Sequence, residues 1–373
     1  MIRPAERPTP RVVVVGCGAV AEGVYRGALT KLESRRIAHV VALVDPNPAR
    51  TAALQRHFPN AAAFVHPAEA FARTKADLTI VTSPPAFHVE HALAAIAASS
   101  HVLCEKPMAV KVEDADRMVA EARLACRILA VGMTRRMYPS LRAARALVSN
   151  GTLGHQLRFT YREGHVFDWP VSTDAVFRRT TAGGGVLTDV GSHALDLLGA
   201  LFGVPTVVRY ADDAERDGVE TNCHIELEYP DADGTMQLSW AEPLVTGLTV
   251  TGSAGELRLD PTRLDALWWR QHEGAWTRLR SAATLPSDLE PQGARGTPRT
   301  HRDCFYYQLV QVLRAVTNDD ESVPVTGDEG LSVVRTINAC YRQATALRIP
   351  WVPAAEQASA GARHWSQQQW VAG

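Results

Sequence analysis

The most constraining feature of this chain is a glycine pair set directly behind an apolar run. Val12–Val15 is continuously apolar, the pattern of a strand buried on both faces. Gly16-Cys17-Gly18-Ala19-Val20-Ala21 follows without a spacer and fits GxGxxA. Gly16 permits a tight turn, Gly18 lets backbone approach a pyrophosphate, and Ala21 lets a helix pack close to the sheet. The following helix would turn free N–H groups and its positive dipole end toward the phosphates. The first third of the chain is therefore expected to bind a nicotinamide dinucleotide.

The pattern around this turn repeats. Strands are predicted at Val40–Asp45, Leu78–Thr82, His101–Cys104 and Ile128–Val131. Helices are predicted between them at Asn47–Phe58, His88–Ala98 and Glu113–Cys126. Asn47 and Pro48 have the residue types of an N-cap and a first helical position. This βαβ rhythm implies an α/β fold with a doubly wound parallel sheet. After a helix at Pro139–Ser149, closed by Gly151, the rhythm changes. Alternating stretches at 157–162, 222–229, 235–240, 246–251, 255–259 and 265–271 predict a mostly antiparallel sheet. Helices are expected near 191–201, 301–316 and 328–346. The implied organisation is a Rossmann unit over 1–131, an α+β unit over 132–353, and a poorly ordered tail over 354–373.

A length of 373 residues suits two domains. The formal net charge of −1 gives no basic field for nucleic acid or acidic lipid. The six cysteines form no CxxC or zinc-type pair, so no metal site is expected and a reducing, cytoplasmic setting is. No apolar stretch approaches the roughly 20 residues of a membrane span, and the first residues are not a secretory signal.

Two further clusters carry chemistry. Asp45 ends the second predicted strand, where a carboxylate can accept from both ribose hydroxyls and would repel a 2′-phosphate. That favours NAD, with NADP as the alternative; an Asp before Pro46 can also serve as a cap, and Arg50 is a candidate phosphate partner. Cys104-Glu105-Lys106-Pro107 closes another strand, at the sheet edge where ligands of doubly wound folds sit. An ammonium at Lys106 could stabilise a developing alkoxide. Gly183-Gly184-Gly185 precedes Asp189 and His193, four residues apart. If one helix includes both they share a face, with His193 suited to proton transfer. An N-cap role for Asp189 and a core role for His193 are the alternatives.

Taken in order, GCGAVA, TSPPAFHVEHAL, HVLCEKPMA and GGGVLTDVGSHALDLL resemble the glucose–fructose oxidoreductase / inositol dehydrogenase / MocA family. The resemblance implies hydride transfer between NAD(P) and a hydroxyl or keto carbon of a sugar, cyclitol or related polyol. It also implies a homodimer or homotetramer joined through the second sheet. Lys106, Asp189 and His193 fall on the catalytic and substrate positions. Gly16, Gly18, Ala19, Val20, Ala21, Asp45, Thr82, Ser83, Pro84, His88, Glu105, Lys106 and Arg135 fall on or beside dinucleotide-contact positions. Thr134 stands where the family usually carries an amide. His165, Asp168 and Trp169 lie in a stretch that borders the substrate in the family, or forms an ordinary loop anchored by an aromatic. The family also contains NAD-assisted glycoside hydrolases and non-enzymatic sensors, which this motif set does not separate from a dehydrogenase.

Overall fold

A computed structural model describes residues 8–168, 177–215, 218–279, 298–318 and 322–347. Trp169 and the tail beyond residue 353 lie outside them. The chain opens with β1 (Arg11–Val15), then a π-helical turn (Ala21–Tyr25) running into α1 (Arg26–Ser34). It continues through β2 (His39–Val44), α2 (Pro48–Gln55), β3 (Ala62–Phe64), α3 (Pro67–Arg73), β4 (Leu78–Val81) and α4 (His88–Ala97). β5 (His101–Cys104), α5 (Val112–Leu124) and β6 (Leu129–Val131) complete this part. The six strands pair in parallel in the order β3-β2-β1-β4-β5-β6. Strand order therefore reverses between β1 and β4, and ligands of such sheets sit at that crevice. Val12–Val15 are almost wholly buried, as a continuous apolar run requires in a sheet covered on both faces. Asn47 caps α2 by accepting from Ala49 N at 3.0 Å, with Pro48 at the first helical position.

α6 (Pro139–Ser149) leads to the second sheet, built from β7 (Leu157–Gly164), β8 (Thr206–Asp212), β9 (Asn222–Tyr229) and β10 (Ala232–Ser239). β11 (Gly247–Thr251), β12 (Gly255–Leu259), β13 (Leu267–Gln271), β14 (Thr277–Arg278) and β15 (Thr345–Ala346) extend it. The order is β14-β13-β12-β11-β7-β10-β9-β8-β15, antiparallel except for β10 with β7 and β15 with β8. Between β7 and β8 lie α7 (Arg179–Ala182) and α8 (Val186–Phe202); α8 lies against β9 and β10. α9 (His301–Asn318) and α10 (Gly327–Arg342) follow β14.

The differences from the sequence expectation are local. Ala62–Phe64, Thr206–Asp212, Thr277–Arg278 and Thr345–Ala346 are strands that no periodicity predicts. Three of these lie at sheet edges and the shortest have two residues, too few to alternate. The strand entering Glu105 is accordingly the fifth in the chain. α8 begins at Val186 rather than near 191, so its first turn contains Asp189.

α9 and α10 follow the second sheet in sequence yet pack on the first. Phe305 meets Tyr25 edge-on at 5.1 Å, and Arg35 donates to the Tyr306 hydroxyl at 3.1 Å. Val131 N donates to Val325 O at 3.0 Å, and α10 packs along α5 and α8. These two helices therefore tie both sheets into one core.

Candidate active site

The glycine turn is held from three sides. Gly16 has φ +93°, a left-handed conformation, and a Cβ there would lie 2.4 Å from Ser83 N. Only glycine lets the end of β1 pass this close to the end of β4. Thr82 closes the crossing by donating its hydroxyl to Gly16 O at 2.6 Å. Asp45, 3% exposed, accepts from Cys17 N at 2.9 Å and from Asn47 N at 2.8 Å. Its carboxylate thus ties the turn to the end of β2 and to the start of α2. Gly18 differs from Gly16: a Cβ there meets only the Arg50 guanidinium, at 3.8 Å. The protein leaves this side of the turn open, as a pyrophosphate approaching the backbone requires. Ala19 is exposed and Val20 half-buried, while Ala21 is buried under the sheet.

The β4 loop is fixed by imidazoles. His88 is buried, with Nε2 2.7 Å from Ser83 O and Nδ1 2.9 Å from Pro107 O. Burial outweighs these two carbonyl neighbours and brings its pKa down to about 4, so at neutral pH the ring donates to only one of them. His91 Nδ1 lies 2.9 Å from the Ser83 hydroxyl. Pro84 is exposed at the crevice. Through His88, the loop after β4 and the Lys106–Pro107 loop after β5 are held together.

Glu105 turns inward from that loop. It is 8% exposed, accepts from the Tyr25 hydroxyl at 2.7 Å and from Lys106 N at 3.0 Å, and burial raises its pKa. Gly132 makes this possible, since a Cβ there would lie 2.7 Å from the Glu105 carboxylate. Lys106 turns the other way. Its ammonium donates to the Asp189 carboxylate and to Asp189 O at 3.3 Å, and its side chain is 18% exposed. Asp189 stays half-exposed. Desolvation pushes its carboxyl up, but Lys106, with His165 and Arg135 further off, outweighs this and holds it below the usual range.

Asp189 and His193 both lie inside α8, so their spacing places them on one face. The N-cap of α8 is Gly185, which removes the capping alternative for Asp189. His193 Nδ1 is buried without a hydrogen-bond partner. Burial first, then the positive charges of Lys106, Arg135 and His301, lower its pKa well below the ordinary histidine value. A neutral imidazole is the form able to take a proton.

Arg135 makes a bidentate pair with Glu163 of β7, both contacts at 2.7 Å, and adds the Tyr161 hydroxyl at 3.3 Å. Beside it, Arg136 pairs with Asp196 at 2.8 and 2.9 Å and reaches Glu329 at 3.1 Å. Arg136 therefore joins α8 to the first turn of α10, where Thr326 and Glu329 form a capping box. His301, at the start of α9, holds Nδ1 2.9 Å from the Tyr138 hydroxyl. His165 and Asp168 are exposed at the end of β7. Local spacing gives no sign of Arg136, Glu163 or His301, nor of Glu220 and Tyr341, which bond each other while Glu220 accepts from the start of α8, because the Asp196, Arg135, Tyr138 or helix end they meet lies far away in the chain. Among the described residues no group of three or more His, Cys, Asp or Glu is placed to hold a metal, and no helix is long and apolar enough to cross a membrane.

A Rossmann sheet with an open glycine turn faces a Lys–Asp–His cluster whose last two members come from the second unit. This arrangement defines a two-part dinucleotide-binding oxidoreductase. Comparison with known proteins agrees. The profile described as an oxidoreductase family with an NAD-binding Rossmann fold matches residues 10–133, and the C-terminal domain of that family matches 141–258. The chain belongs to the Gfo/Idh/MocA oxidoreductase family.

Among its relatives, D-glucoside 3-dehydrogenase of Escherichia coli is 32% identical over 217 residues, 57% of this chain and 60% of that protein. The scyllo-inositol 2-dehydrogenase (NADP(+)) of Bacillus subtilis is 26% identical over 91% of this chain and 95% of its own length. The crystal structure of aldose-aldose oxidoreductase from Caulobacter crescentus, complexed with glycerol, aligns with TM-score 0.75 at 24% identity. The alignment covers 90% of this chain and 97% of that one, and it speaks to the fold alone.

Proposed function

We propose that this chain transfers hydride between a nicotinamide dinucleotide and a hydroxyl or keto carbon of a sugar, cyclitol or similar polyol. The observation that carries the reading is the Lys106 ammonium seated on Asp189, with His193 one turn further along the same helix face. The relatives named above act on a glucoside and an inositol, which supports the substrate class. When bound, the dinucleotide supplies the hydride acceptor or donor. Gly16, Gly18 and the N-terminal turn after them would hold its pyrophosphate, and Asp45 its adenosine ribose. NAD is the preferred form, because the buried Asp45 carboxylate disfavours a second anion beside it. Arg50 lies 3.9 Å from Asp45 and softens that preference.

On the substrate side, Lys106 donates to the reacting oxygen and stabilises negative charge developing there. His193, held neutral, accepts the hydroxyl proton during oxidation and returns it during reduction. Asp189 orients the ammonium and can accept from a neighbouring hydroxyl. His165 and Asp168 offer further polar contacts at the mouth of the cleft. On this reading the cofactor binds the Rossmann unit, whose boundary is proposed near residue 132. The substrate then lies against the second unit.

The chain is proposed to work in the cytoplasm, where its six unpaired cysteines, five of them buried, remain reduced. A homodimer or homotetramer is proposed through the outer face of the second sheet. Arg209, His224, Glu226 and Gln237 border a 640 Å³ groove on that side.

The test is a screen of neutral sugars, inositols and their keto forms with NAD(H) and NADP(H), followed at the nicotinamide absorbance band. Lys106→Ala should abolish turnover of the best substrate while NADH still binds. Full activity in that variant would remove Lys106 from the mechanism.

A further inference from the structure

We infer that Glu220 is a positioning residue for the reaction, anchoring the helix that presents Asp189 and His193 and oriented in turn by Tyr341. The inference rests on the functional reading above.

The first N–H groups of a helix have no partner within it. Gly185 N and Leu187 N each donate to Glu220 Oε1 at 3.0 Å, and Val186 N donates to the backbone O of Glu220 at 3.0 Å. Three successive donors at the start of α8 are thus taken by one residue, which reaches them from the lead-in to β9. A carboxylate at this end also meets the positive end of the helix dipole. Glu220 is 1% exposed, which shields these contacts from bulk solvent. The Tyr341 hydroxyl donates to the same oxygen at 2.8 Å. Its one proton being used, Thr188 donates to it at 2.9 Å, one residue before Asp189.

The glycines accommodate this anchor. A Cβ on Gly184 would lie 1.8 Å from the Tyr341 hydroxyl, and one on Gly185 would lie 1.9 Å from Glu220 O. Tyr341 stands on α10, which also packs against α5 of the first sheet. The anchor therefore sets α8 relative to the unit that carries Lys106.

The experiment compares Glu220→Ala, Glu220→Gln and Tyr341→Phe with the wild type. It reads hydrogen exchange over residues 185–192, NADH affinity, and kcat with the best substrate of the screen. Glu220→Ala should speed exchange at least about tenfold. It should lower kcat by about 100-fold, the scale of a 1 Å misplacement, with NADH affinity within about twofold. Glu220→Gln keeps the accepting oxygen and should restore kcat to within about tenfold of wild type.

If Glu220→Ala does not fold, Tyr341→Phe decides: faster exchange with a severalfold lower kcat supports the anchor. Unchanged exchange in that variant overturns it. So does unchanged exchange in folded Glu220→Ala; a parallel loss of kcat and NADH binding there marks loss of folded protein and leaves the decision to Tyr341→Phe. Faster exchange with unchanged kcat overturns the positioning role while leaving the functional reading standing, provided Lys106→Ala remains inactive.

Discussion

Gly18→Ala separates a glycine kept for a ligand from one kept for the fold. In the protein alone, a methyl at residue 18 meets only the Arg50 guanidinium at 3.8 Å, an ordinary contact. Residue 18 has no positive φ, so alanine adds no backbone strain. Fewer unfolded conformations should make the variant as stable as wild type or more stable by about 0.4–1 kcal/mol. Gly16→Ala is the contrast. Its methyl would stand 2.4 Å from Ser83 N and 2.7 Å from Ser83 Cα, on a residue at φ +93°. Both contacts are backbone, so β1 and β4 must move apart by about 1 Å to reach van der Waals distance, and left-handed strain adds about 1–2 kcal/mol.

If the pyrophosphate lies over Gly18, the added methyl there displaces at least one charge-assisted hydrogen bond, worth about 1.5–3 kcal/mol. NADH affinity should then fall between about tenfold and 150-fold in a variant whose unfolding midpoint has not dropped. Fluorescence titration of NADH beside a denaturation curve makes the measurement. Unchanged affinity in stable Gly18→Ala protein would refute the placement of the dinucleotide. A lowered midpoint would refute the claim that this side of the turn is open.

The remaining expectations can be checked one by one. Arg136→Leu strands the buried Asp196 carboxylate, which burial already pushes up to about 6 against the pull of Arg136, and should cost about 3–5 kcal/mol near neutral pH. The stranded carboxyl has a raised folded pKa, so its penalty is absent below the unfolded value and grows as pH rises; equal deficits at pH about 5 and 7 in denaturant titrations would contradict this. His88, with its pKa lowered from 6.5 to about 4, favours the fold above the unfolded value, and about 3 kcal/mol should be lost as pH falls through that window. His88→Gln should flatten the acid limb of the stability profile, and an unaltered limb assigns it to other groups. In Lys106→Met, removal of a positive neighbour should raise the pKa of both Asp189 and His193, read for His193 by NMR titration of the ring.

What could be read from the sequence divides by the range of the interaction. The glycine turn, the Asn47-Pro48 helix start and the strand entering Glu105 are local patterns of residue type and period, and they stand where the residues place them. The spacing of Asp189 and His193 becomes a shared face only because α8 begins at Val186, just after Gly185, and that start is set by Glu220, 35 residues after Gly185. In sequence, Gly183-Gly184-Gly185 signals close approach or unusual backbone without naming what approaches. The structure fills the space at Gly184 and Gly185 with Tyr341 and Glu220, both from later segments. Arg135 falls on a motif position, yet its guanidinium is spent on Glu163 of β7, a partner with no fixed spacing. The same holds for the return of α9 and α10 onto the first sheet: their amphipathic faces are readable, but the surface they cover is not. Short-range chemistry therefore announces the cofactor half of the site. The half that aims the reacting groups is built from long-range buried polar contacts, each of which needs a distant partner before it has meaning.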